Sequence, residues 1–192
     1  IFDTMTRITE QQGPYRKLEE KSVTELTDLI NREDQRVALA IRDALPQLNR
    51  LIDAIIEKLK TGGRLFYVGA GSGGRLSVLD AIELPTTYGI DPQMVQAILA
   101  GGVENLVLAL EEKEDDPEAA WKMLQEKKVS RGDFVLGISA SGTTPFVRGG
   151  LQHCKKAEIA TGCLVSNPES PIAGLADYPV EVITGPEFIT GS

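Results

Sequence analysis

Four short apolar runs, "RLFYVG" (64–69), "VQAILA" (95–100), "DFVLGIS" (133–139) and "ATGCLVS" (160–166), constrain the fold more than any other feature of the chain. Each is too short for a helix, and each gives way to a loop of small or hydroxyl residues and then to apolar residues at helical spacing. Strand, loop and helix in alternation predict a three-layer, doubly wound α/β fold with a mainly parallel sheet covered on both faces. The expected helices run from Gly74 to about Glu83, over 103–112, over 117–127 behind the start signal Asp115-Asp116-Pro117, onward from Pro145, and briefly near 170–176. "YPVEVIT" (178–184) reads as a last, edge strand.

The first 60 residues have a different texture. Ser22-Val23-Thr24-Glu25 forms a capping box, in which hydroxyl and carboxylate each satisfy a free N–H at a helix start. Apolar residues at helical spacing predict three helices: one through Leu26, Leu29 and Ile30, one through Val37 to Ala44, and a third opened by Pro46 and carrying Leu48, Leu51, Ile55 and Leu59. An N-terminal helical extension (1–60) preceding an α/β domain (61–192) is the expected organisation. The chain starts without Met and stops just after a strand-like run, so a longer protein is expected.

The formal net charge of −8, without a basic block, argues against a nucleic-acid or anionic-membrane partner. Two cysteines, Cys154 and Cys163, make neither a disulfide framework nor a zinc spacing, and His153 reads as a solvated helix residue, so no metal site is expected. No apolar run is long enough to span a bilayer and no signal peptide is visible, which gives a cytoplasmic expectation.

Gly69, Gly71 and Gly74 spell G-x-G-x-x-G directly after the first strand, the form of a dinucleotide-binding loop. That reading requires an acidic residue at the end of the next strand to hold ribose hydroxyls. Here the strand ends in Gly101-Gly102, and Asp91 precedes it. A second loop fits a different ligand. Ser139, Ser141, Thr143 and Thr144 place four hydroxyls within six residues at a strand-to-helix junction. One hydroxyl is enough to cap a helix; four, with helix N-terminal N–H groups, can ring a phosphate monoester. Two such loops at the carboxyl edge of one sheet suit a sugar phosphate.

The motifs "YVGAGSGGRLSVLDAIELPTTYG" (67–89), "AGG" (100–102), "EDD" (114–116), "GISASGTTPFV" (137–147), "SNPESP" (166–171) and "GPEFITGS" (185–192) resemble the N-acetylmuramic acid 6-phosphate etherases of the sugar isomerase (SIS) superfamily. The likeness extends into the prelude "LTDLINREDQRVALAI" (26–41). It implies a SIS fold, a homodimer with shared active sites, and a family C-terminal region beyond this chain. It also implies a reaction: the D-lactyl ether at C3 of N-acetylmuramic acid 6-phosphate is cleaved by elimination and hydration, giving N-acetylglucosamine 6-phosphate and D-lactate, with neither metal nor nucleotide required. By the same likeness Glu83 is the acid on the departing oxygen and Glu114 the base at C2. Gly71, Ser72, Gly73, Ser139, Ser141, Thr143 and Thr144 hold the sugar phosphate.

Read from the residues alone, Glu83 interrupts an apolar stretch and is either buried for a reason or exposed at a helix end. Glu114 lies in an acidic run whose ordinary reading is a solvated helix start. The family's first loop usually reads Gly-Ala-Gly-Thr-Ser-Gly-Arg; Ser72 and Gly73 stand here for its Thr and Ser, and one hydroxyl is lost. A phosphosugar aldose–ketose isomerase, a non-enzymatic phosphosugar sensor and, least well supported, a dinucleotide enzyme are the competing readings.

Overall fold

The computed structural model describes residues 7–107 and 111–189. Five parallel strands, β1 (Leu65–Gly69), β2 (Val95–Leu99), β3 (Phe134–Ile138), β4 (Ala160–Val165) and β5 (Tyr178–Glu181), form one sheet in the order β2-β1-β3-β4-β5. Alternate side chains feed two cores. Phe66, Val68 and Val135 pack under α3 (Ala119–Glu126) and α4 (Pro145–Lys156), with Leu124, Phe146 and Leu151. Leu65, Phe134 and Leu136 face the other way, against Leu51 of α1 (Val23–Lys60) and Ala81 of α2 (Gly71–Tyr88). Because both faces are covered, the strands read as continuous apolar runs rather than alternating ones.

The strand expectations hold, including the edge position of β5, although β5 stops at Glu181, three residues short of the expected end. Several helix boundaries do not. The prelude is one 38-residue helix, not three, with Pro46 in its interior. An interior proline costs about 3 kcal/mol, and tertiary packing offsets it here. Ala44 and Leu51 are buried, Leu48, Ile55 and Leu59 pack on the sheet, and Glu181 N–H donates to Gln47 Oε1 at 2.8 Å. No glycine or asparagine precedes Pro46 to end the helix, so pattern and packing carry it through. The capping box at its start is present, with both reciprocal bonds between Ser22 and Glu25.

Helix α2 likewise begins earlier and ends later than expected. Its first turn absorbs the glycine loop at Gly71, and it passes Pro85 to end at Gly89, whose φ of +67° is the left-handed stop that glycine permits. The expected helix 103–112 lies partly outside the described residues; around that gap the chain makes short 3₁₀ turns at Val103–Asn105 and Glu111–Lys113. Residues 171–175 form turns, not a helix, with Ser170 Oγ accepting from Ala173 N–H.

At the amino end of the sheet, opposite the loops of interest, Asp133 binds β1 to β3. It accepts from Arg64 N–H (2.9 Å), Arg64 Nε (3.1 Å), Arg64 Nη2 (2.9 Å) and Ser130 N–H (2.8 Å). Burial pushes the Asp133 carboxyl up, but the Arg64 and Ser130 hydrogen bonds outweigh it and hold the group below the ordinary carboxylate range. Asp133→Ala is expected to cost about 3 kcal/mol at pH 7, because it strands the partly buried Arg64 guanidinium. A depressed folded pKa stabilises above the unfolded value and loses that stabilisation as pH falls through it. The gap between wild type and variant in denaturant unfolding should therefore close below about pH 4.

Candidate active site

In this strand order the crossovers leave β1 and β3 in opposite directions, which opens a crevice beyond their carboxyl ends. Gly69 and Ile138 are register partners, so the glycine turn and the hydroxyl loop start on adjacent strands.

The glycines have structural roles that do not depend on a dinucleotide ligand. A side chain on Gly74 would begin 2.6 Å from the carbonyl carbon of Gly69, so this pair sets how closely α2 approaches β1. Gly71 has a φ of +54°, and a side chain there would begin 3.2 Å from Glu114 Oε1. The half-buried Glu114 carboxylate thus lies against the glycine turn instead of facing solvent on a helix start. Its main chain is fixed from the other side, because Phe146 N–H, in the first turn of α4, donates to the Glu114 carbonyl at 3.0 Å. One residue therefore ties the two loops together.

The hydroxyl loop is folded by its own side chains. Ser139 Oγ lies 2.8 Å from Thr144 Oγ1 and 3.3 Å from Ser141 Oγ, and accepts from Gly142 N–H at 3.1 Å. Thr143 Oγ1 donates to Ser141 Oγ at 3.1 Å. Thr144 stands at the N-cap position of α4 without a side-chain cap bond, its hydroxyl being turned to Ser139, and Pro145 fills the first helical position. Ser139 is buried and the other three are half-buried, so the cluster is held in place yet reachable. Ser72 is exposed on the first turn of α2, and Gly73 is half-buried with open space limited by Ile138 Cγ2, 3.2 Å from where its side chain would start.

Asn167 braces the loop from below, a role not anticipated from the sequence beyond its place in "SNPESP". Buried, it donates through Nδ2 to the carbonyls of Ala140 (3.1 Å) and Ser141 (3.3 Å). Glu83 is not part of this cluster. It is exposed on α2, twelve residues beyond Gly71, which at 1.5 Å per residue is about 18 Å along the helix. His153 is not simply solvated: it stacks on Trp121 and meets Glu118 at 3.1 Å. Burial pushes the free thiols up, Cys154 to about 12 and Cys163 to about 11, so neither serves as a nucleophile. The described residues contain no cluster of metal-ligating side chains, and no helix long and apolar enough to cross a membrane.

Fold and site define the class. Residues 47–155 match the model of the glucokinase regulatory protein N-terminal SIS domain. A phosphoheptose isomerase from Francisella tularensis superposes with a TM-score of 0.66, covering 84% of this chain and 85% of that one at 16% identity, which is a likeness of fold. Closer sequence kinship narrows it. The chain is 49% identical over 97% of its length to an N-acetylmuramic acid 6-phosphate etherase of Porphyromonas gingivalis, and 48% identical over 97% to one of Bacteroides thetaiotaomicron. It belongs to the N-acetylmuramic acid 6-phosphate etherase family, and spans about two thirds (68% and 67%) of those two relatives.

The hydroxyl loop depends on Gly142, whose φ is +69° and whose side chain would run into that of Ser170. Gly142→Ala is expected to lower the unfolding free energy by about 2 kcal/mol and to weaken sugar-phosphate binding as the loop shifts. Denaturant unfolding and calorimetric titration measure the two effects.

Proposed function

We propose that this protein is a carbon–oxygen lyase that converts N-acetylmuramic acid 6-phosphate to N-acetylglucosamine 6-phosphate and D-lactate in cytoplasmic cell-wall amino sugar catabolism. The observation that carries this is the convergence of the glycine turn, the hydroxyl loop and the Glu114 carboxylate at the β1/β3 crevice, in a chain of this family.

The phosphate sits on Ser139, Ser141, Thr143 and Thr144, where hydroxyls and the positive end of α4 favour a dianion without a net basic surface. Main-chain groups of Gly71, Ser72 and Gly73 complete the phosphate site and line the sugar. With the sugar open to its aldehyde, the C2 proton is acidic. Glu114 removes it, the C3–O bond breaks, and Glu83 gives a proton to the departing lactyl oxygen. Water then adds across the C2–C3 double bond, its hydroxyl to C3 and its proton to C2. Properly placed general acids and bases contribute roughly 10²–10⁴-fold each.

Glu83 cannot reach its own protomer's crevice without leaving α2, so in this reading it serves the site of a second copy. Two unpaired apolar faces support a dimer. Ile30, Val37, Ile41, Leu45, Ile52 and Ile56 of α1, and Leu76, Leu79 and Ile82 of α2, are all exposed, and α1 and α2 lie on one side of the sheet. Lactate release from N-acetylmuramic acid 6-phosphate by the full-length protein tests the reaction; isomer formation, or binding without lactate, would instead favour the isomerase or sensor reading. Glu83→Gln and Glu114→Gln should each abolish release and keep binding. Mixed dimers of the two variants should recover about a quarter of wild-type activity, since half the dimers are mixed and each holds one intact site. No recovery would place both groups in one protomer's site.

The Gly73 position offers a separate check. Gly73→Ser restores the hydroxyl the family usually carries and asks Ile138 to yield by a few tenths of an ångström. It is expected to tighten phosphosugar binding roughly tenfold, the value of one hydrogen bond to a charged group. Unchanged or weaker affinity with an intact fold would remove this loop from the phosphate site.

A further inference from the structure

A small cavity of about 40 Å³ opens beside the hydroxyl loop, lined by Arg7, Ser141, Thr143, Asn167, Glu169 and Ser170 among others. At about 10–15 Å³ per water-sized group it takes roughly three, as many as the outer oxygens of a phosphoryl group. Arg7 is its cationic residue. Among the described residues no ion pair or hydrogen bond occupies the half-buried Arg7 guanidinium. The arm that carries it is anchored two residues on. Thr9 N–H donates to Asn167 Oδ1 (3.2 Å), and Asn167 Nδ2 donates to Thr9 Oγ1 (2.8 Å). The same amide nitrogen holds the Ala140 and Ser141 carbonyls, so one side chain fixes both the arm and the hydroxyl loop.

Resting on the phosphate site proposed above, we infer that Arg7 is the charged member of that site, and that the Thr9–Asn167 clamp positions it. The chemistry asks for such a group. The rest of the rim supplies neutral donors and one exposed carboxylate, Glu169. Without Arg7 the mouth of the cavity is net negative and repels a dianion. With it, a guanidinium fork faces phosphate oxygens, a pairing about twice as strong as a neutral hydrogen bond.

The test is calorimetric titration of the full-length protein with inorganic phosphate and with N-acetylmuramic acid 6-phosphate, alongside steady-state lactate release. Arg7→Ala is expected to weaken both ligands by about tenfold to a hundredfold, raising KM with kcat little changed, and Arg7→Lys to restore part of the loss. Thr9→Val, which keeps the shape and loses the hydroxyl, should weaken phosphate in the same direction by less. A Ser141→Ala control separates the two layers of the argument. If it weakens phosphate while Arg7→Ala stays within twofold of wild type, the Arg7 inference is overturned and the phosphate site stands. If neither variant alters phosphate affinity, both are overturned. Thermal unfolding of each variant checks the fold, and Arg7→Lys carries the test if Arg7→Ala is unstable.

Discussion

The side-by-side pairing of β1 with β3 is the constraint on which the rest depends. Adjacent strands lie about 4.8 Å apart, and Gly69 and Ile138 are register partners, so the chain leaves the sheet twice within one strand spacing. What happens next is set by two close approaches. Gly69 and Gly74 have no side chains, which brings the start of α2 down onto β1. The Phe146 N–H to Glu114 carbonyl bond brings the segment before α3 across the start of α4. The Glu114 carboxylate then has little choice of direction, and it lies on the glycine turn.

An acidic chain holding a dianion looks contradictory until range is considered. Exposed charges are screened within about 8–10 Å at physiological salt, so a net charge of −8 spread over the surface says little about the crevice. Local dipoles decide there. Four hydroxyls at the start of a helix are fixed before any ligand arrives, because they bond to one another and Asn167 holds the carbonyls of Ala140 and Ser141 in the same loop. A ligand replaces weak neutral pairs among these groups with stronger charge-assisted ones, and the loop need not be reorganised to do so.

Much of the sheet was legible because its signals are local. A buried strand announces itself in five or six residues, and "SASGTTP" carries its hydroxyls and its helix-starting proline in one string. Pro46 misled for the same reason. It is a local break signal, overruled by packing that the local sequence cannot display. The glycine fingerprint was ambiguous for a different reason: its spacing records how closely a helix packs on a strand, a need shared by folds with unrelated ligands. Glu114 stood out only through family likeness, since an acidic run gives no hint that one member's carbonyl will cap a distant helix. Asn167 and Thr9 are 158 residues apart, and no spacing rule links them. Arg7 escaped notice because it is an ordinary cation in a polar segment until the fold returns that segment to the hydroxyl loop.

Helix geometry keeps Glu83 away from the turn that Glu114 touches. An α-helix rises 1.5 Å per residue whatever its sequence, so Glu83, fixed on α2, stays about 18 Å from the glycine turn that Glu114 touches. An elimination needs its acid and base within a few ångströms of one sugar. Bending α2 would break hydrogen bonds and expose Val78 and Ala81, which it buries against the sheet. In the proposed dimer, covering the exposed stripe Leu76, Leu79 and Ile82 with a second copy would remove exposed hydrophobic surface and bring Glu83 to a neighbour in one move. On this reading the burial that favours association also completes the site, and a lone protomer holds the phosphate and the base but lacks the acid.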